Sequence, residues 1–181
     1  PSPDVAAAAA LLRGLRAGLA GCPVPLPLLG AWRHGDAWVR TLQDPDHRSH
    51  HGSHGSDPWT APLLHLAVDA WHRIDALLRA LALEPRHLEP SHGDAHPGNL
   101  HPGPGGWLWF DFEDASLMPR HWDLASFVAG AYLLGKDPFF GHDPSFADQL
   151  VATVLGTPTD PGEPAAFALA VAARAGLSTI T

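Results

Sequence analysis

Several residue types are scarce in this sequence, and each shortage excludes something. Cysteine occurs once, as Cys22. No disulfide can therefore staple the fold, and a reducing, cytoplasmic setting is expected. Lysine also occurs once, as Lys136, and Lys plus Arg total 11 against 19 acidic residues. The formal net charge of -8 speaks against nucleic acid as a partner, because a polyanion needs a basic surface. Charged residues make up only 17% of the chain, yet no apolar run is long enough to span a bilayer, so no membrane association is expected. "LAGC" at 19–22 imitates a lipoprotein cleavage site, but Arg13 and Arg16 interrupt the apolar run that a signal peptide keeps unbroken. Internal repeats are absent.

What is present suffices for a real core: 45% of the 181 residues are hydrophobic, which fits one domain or two small ones. Nineteen prolines and eighteen glycines call for many loops. Residues 5–20 predict a helix, capped by Asp4, with Leu11, Leu15 and Leu19 on one face. "CPVPLP" must be extended. "LLGAW" and "AWVRTL" read as two strands around the turn "RHGD", giving a hairpin over 28–42. The histidine-rich stretch 44–58 reads as a flexible linker. Helices are expected over 59–82, 121–134, 145–155 and 163–177, with a strand over 107–112 after the turn "PGPGG".

The chemistry concentrates in "HGDAHPGN", 92–99, followed by "DFED", 111–114. So many polar and turn-forming residues suit a loop and not the interior of a helix or strand. Asp94 and Asn99 lie five positions apart, and Asp111 follows on the expected strand. Phosphoryl transfer needs such a set. One carboxylate orients the attacking hydroxyl and takes its proton, and two further oxygen donors hold Mg²⁺ against the phosphates.

"HGDAHPGN", "DFEDAS" and "PRHWDLA" together, in this order and at this spacing, resemble the aminoglycoside phosphotransferase and choline kinase family, relatives of the protein kinases. The resemblance implies an α+β, predominantly helical chain: a protein-kinase-like C-terminal lobe over 59–181, with 1–43 a remnant of the N-terminal lobe. It implies ATP and Mg²⁺ as cofactors and a small-molecule hydroxyl acceptor. It makes Asp94 the catalytic base, Asn99 and Asp111 the metal ligands, and His92 and Asp123 structural supports of the loop. A hinge touching adenine would lie near Thr41 to Asp44. The family's glycine-rich loop and strand lysine have no counterpart in these residues. Glu113 and Asp114 could face a cationic acceptor or cap the next helix.

Two other readings stand beside this one. A kinase-like binding protein without catalysis would share the same motifs. A metal-dependent hydrolase would use His92, Asp94 and His96, with His101 or His121 as further ligands. "GAYLLGKD" at 130–137 imitates a phosphate-binding loop, but Asp137 replaces the hydroxyl residue such a loop needs, and the stretch reads as a helix end.

Overall fold

The computed structural model describes residues 4–44, 61–133, 145–157 and 162–180. Six helices carry the bulk of the described residues: α1 (Val5–Ala20), α2 (Gly30–Gln43), α3 (Ala61–Ala82), α4 (Trp122–Leu133), α5 (Ser145–Leu155) and α6 (Glu163–Ile180). Four short strands lie between α3 and α4: β1 (Leu88–Ser91), β2 (Leu100–Gly103), β3 (Gly106–Trp109) and β4 (Ser116–Pro119). They form two antiparallel pairs, β1 with β4 and β2 with β3. The chain is thus α+β and predominantly helical, as its sequence implies.

α1 starts where expected. Asp4 accepts the backbone N–H of Ala7 at 2.7 Å, which satisfies one of the free donors of the first turn. The hairpin expected over 28–42 does not exist. Residues 30–43 are helix α2, and "RHGD" lies within it. Its buried residues, Ala31, Trp32, Gly35 and Val39, recur at helical spacing. Gly35 looks like a turn signal, but its lack of a side chain serves packing: a Cβ there would come within 1.8 Å of Trp71 Cη2. Thr41 lies in the last turn of α2 and Asp44 caps it, so the hinge placement that rested on the hairpin loses its strand.

The strand expected over 107–112 is shorter, Gly106–Trp109, because Asp111 takes a left-handed conformation (φ 66°, ψ 58°) and opens a 3-10 turn over Phe112–Asp114. The linker expected over 44–58 lies, apart from Asp44, outside the described residues. So do the histidines at 47, 50, 51 and 54, the end of "GAYLLGKD" and the lone lysine.

Two apolar clusters hold the fold. One joins Leu29, Trp32 and Val39 of the α2 region to Trp71, Leu78, Met118, Trp122 and Leu177. The other joins Ala8, Ala9 and Leu12 of α1 to Leu100, Leu124, Phe127 and Leu150. Residues 5–43 therefore bury apolar side chains in the same two cores as the other described residues. Among the described residues, no helix is long and apolar enough to cross a membrane.

Candidate active site

The loop 92–99 connects β1 to β2 and is gripped from below by the start of α4. Asp123, in the first turn of α4, accepts the backbone N–H of His92 at 2.9 Å and that of Gly93 at 3.1 Å. Trp122 donates its indole N–H to the Gly93 carbonyl at 2.7 Å. Gly93 has φ 92°, and a Cβ there would stand 2.2 Å from the Asp114 carbonyl oxygen. Only glycine permits this crossing of the loop over the 111–114 segment.

Burial drives the Asp123 carboxyl up to about 7, while the two N–H groups that it accepts pull the other way. His92 is fully buried, and burial lowers its pKa, which favours the neutral ring. Its Nε2 lies 2.9 Å from the Phe110 carbonyl, which can only accept, so Nε2 carries the proton. That proton is incompatible with zinc at Nε2. Among the described residues, no group of three or more His, Cys, Asp or Glu side chains is gathered to hold a metal. His121 is turned elsewhere, its Nε2 2.7 Å from Glu163 Oε1.

Asp94 stands partly exposed at a cleft of about 190 Å³, lined by His34, Gly35, Trp38, Asp94, Asp114 and Arg174 among others. Its Oδ1 accepts from Arg174 Nη2, and its Oδ2 lies 3.6 Å from His96 Nε2. His96 in turn accepts the Gly98 N–H on Nδ1 at 3.0 Å, which tightens the loop. Asn99 is buried and donates from Nδ2 to the Asp94 carbonyl at 3.0 Å. That bond leaves the amide oxygen as the atom suited to a hard cation. Asp111 is exposed, and its left-handed backbone, unusual outside glycine, turns the chain sharply after Phe110. The charges of Asp94 and Asp111 both act on His92 and Asp114, so the two carboxylates share one neighbourhood. An amide oxygen and a carboxylate are the donors Mg²⁺ prefers, so Asn99 and Asp111 fit it.

Asp114 lines the cleft and lies 2.9 Å from His34 Nδ1. Burial raises its pKa, with His34 and Arg174 pulling it down and Asp94 and Asp111 adding to the rise. Glu113, its neighbour in the 3-10 turn, is exposed and does not line the cleft. The structure thus gathers Asp94, Asn99, Asp111 and Asp114, with His92 and Asp123 behind them.

Sequence reasoning missed Arg174 and His34. Arg174 carried a signal: it is the only charged residue in 164–181, and a lone charge on an otherwise apolar helix needs a partner. His34 sat in the supposed turn and carried none.

The larger cavities lie elsewhere. One of about 530 Å³ lies between α3 and the start of α6, and one of about 900 Å³ between α1 and β3. Neither includes Asp94, so size does not mark the site here; the chemistry of the loop does.

A sequence model of the phosphotransferase enzyme family matches residues 5–167. No curated protein sequence matches the chain. Among solved structures the chain is similar to an ethanolamine kinase of Plasmodium vivax, with 18% identity and a TM-score of 0.47. The match covers 94% of this chain and 45% of that one, so this chain spans less than half the length of that protein.

Proposed function

The chain belongs to the phosphotransferase enzyme family, and from that premise we propose that it moves the γ-phosphoryl group of ATP, with Mg²⁺, to a hydroxyl of a small molecule. The observation that carries this reading is the braced loop. His92 and Gly93 are held by Asp123 through their backbones, and the next residue, Asp94, presents its carboxylate at a small charged cleft.

An alcohol hardly ionises near neutrality. Asp94 would therefore act by orienting the hydroxyl and taking its proton late in the transfer. Asn99 and Asp111 would hold Mg²⁺, which when bound offsets the charge of the phosphates. Two carboxylates, Asp94 and Asp114, line the cleft beside Arg174, and the charge of Asp111 reaches Asp114 from nearby, which favours an acceptor with a cationic group. Trp38, about half exposed at the rim, offers such an acceptor an aromatic face. The exposed, unpaired Cys22 suits a reducing, cytoplasmic setting.

The test is ³¹P NMR of the full protein with ATP, Mg²⁺ and a panel of amino alcohols, sugars and aminoglycosides. A new phosphomonoester signal is expected with at least one member. Asp94→Asn should slow its formation by about 10²–10⁴-fold, the usual contribution of a general base. ATP binding with no phosphomonoester from any hydroxyl compound would instead favour a binding protein without catalysis.

A further inference from the structure

Resting on that reading, we propose that Arg174 is a positioning residue for Asp94, fixing which carboxylate oxygen receives the acceptor's proton. A carboxylate turns easily about its last bond, since that torsion is broad and two-fold. Left alone, the two oxygens of Asp94 exchange places. Arg174 Nη2 donates to Oδ1, while among the described residues the ion-pair partner of Oδ2 is His96, at 3.6 Å, beyond hydrogen-bonding distance. Oδ1 is committed and Oδ2 is left for the proton.

The anchor is stiff. Arg174 comes from α6 between Ala170, Ala173 and Leu177, all buried in the main core, and its own side chain is only 12% exposed. Its Nε is buried with no hydrogen-bond partner among the described residues, so the guanidinium is aimed at Asp94 at the expense of its Nε–H. α6 packs along α4, the helix whose Asp123 holds the backbone of 92 and 93. Two packed helices thus fix three consecutive residues, α4 by the backbone and α6 by the side chain. α6 also lines the cleft through Leu177, so the wall that meets the acceptor and the group that aims the base belong to one rigid element.

The test uses the full protein with Mg²⁺ and ATP, water serving as acceptor, and reads ADP release. Arg174→Ala should lose about 100-fold in kcat, the scale of a misplaced catalytic group, while KM for ATP moves less than about threefold. Added guanidinium, but not urea, should restore part of the rate, which a merely structural role would not allow. Arg174→Lys, which keeps the charge without the planar fork, should fall in between and serves if the alanine variant does not fold. A rate within about threefold of the parent for Arg174→Ala, or a loss that appears in KM and resists guanidinium, would overturn the proposal. Asp94→Asn run in parallel separates the two ideas. If it hydrolyses ATP as fast as the parent, Asp94 is not the base and the positioning role fails with it; if it is slow while Arg174→Ala keeps the parent rate, the base stands and only the positioning role fails.

Discussion

Trp32 lies flat against Trp71, with ring centroids 3.7 Å apart and planes 6° from parallel. The pair is tied reciprocally. Trp32 on α2 donates its indole N–H to Asp75 on α3 at 2.9 Å, and Trp71 on α3 donates to Asp36 on α2 at 3.4 Å. This clamp sets where α2 lies, and α2 carries His34 and Trp38 to the cleft beside Asp94. A buried aromatic contact thus positions one wall of the candidate active site.

Gly35→Ala should break that arrangement. The new methyl would strike the Trp71 ring, and overpacking of this kind costs about 1–3 kcal/mol. Gly14→Ala on α1, where nothing lies within 4 Å of the new methyl, should instead stabilise by about 0.5–1 kcal/mol through helix propensity. Urea denaturation of the two variants checks the contrast. Equal effects would mean that Trp71 does not rest on Gly35.

Gly93→Ala combines a backbone penalty of about 1–2 kcal/mol with the contact against the Asp114 carbonyl. It should destabilise by about 2 kcal/mol or more and abolish phosphoryl transfer. Circular dichroism melts together with ³¹P turnover read both effects. Parent-like stability would show that the loop can cross the 111–114 segment by another path.

Asp123 makes stability depend on pH in an unusual direction. A carboxyl raised to about 7 by the fold, against an unfolded value near 4, binds its proton more tightly in the native state. Its contribution is complete below about pH 4 and is lost as the pH rises through 7. Relative to Asp123→Asn, which cannot titrate, the parent protein should lose on the order of a few kcal/mol between these limits. Denaturation midpoints of both proteins at pH 5 and pH 8 provide the measurement. Parallel behaviour would place Asp123 in the ionised state throughout.

Asp111→Asn and Asn99→Ala should raise the Mg²⁺ concentration for half-maximal transfer by about 10–100-fold, as losing a metal-site group does, with little effect on folding for the exposed Asp111 and a cost of about 1–3 kcal/mol for the buried Asn99, whose bond to the Asp94 carbonyl is lost. Rates measured against Mg²⁺ at fixed ATP decide this. An unchanged Mg²⁺ requirement in both variants would remove these residues from the metal site.

The loop chemistry was legible in the chain itself. "HGDAHPGN" and "DFED" lie within 25 residues of each other, their residue types are specific, and glycine and proline leave the backbone few options there. Helices α1, α3, α4, α5 and α6 were legible too, because apolar spacing over 11 to 22 residues is a strong signal. The helix α2 was not. Gly30, Gly35 and the β-favouring Trp and Val residues argue locally for a hairpin, and only the Trp71 ring explains why a glycine belongs in that helix.

Composition and local pattern therefore determined the class of chain, most of its helices and the identity of the loop residues. These depend on the chemistry of neighbours in sequence. Tertiary structure decided the rest. It set Arg174 against Asp94 across 80 residues, His34 against Asp114, and the carboxyl of Asp123 in a dry interior that raises it to about 7. Charge pairing and desolvation depend on distance in space, and only packing of α2, α4 and α6 around the loop brings those groups within reach.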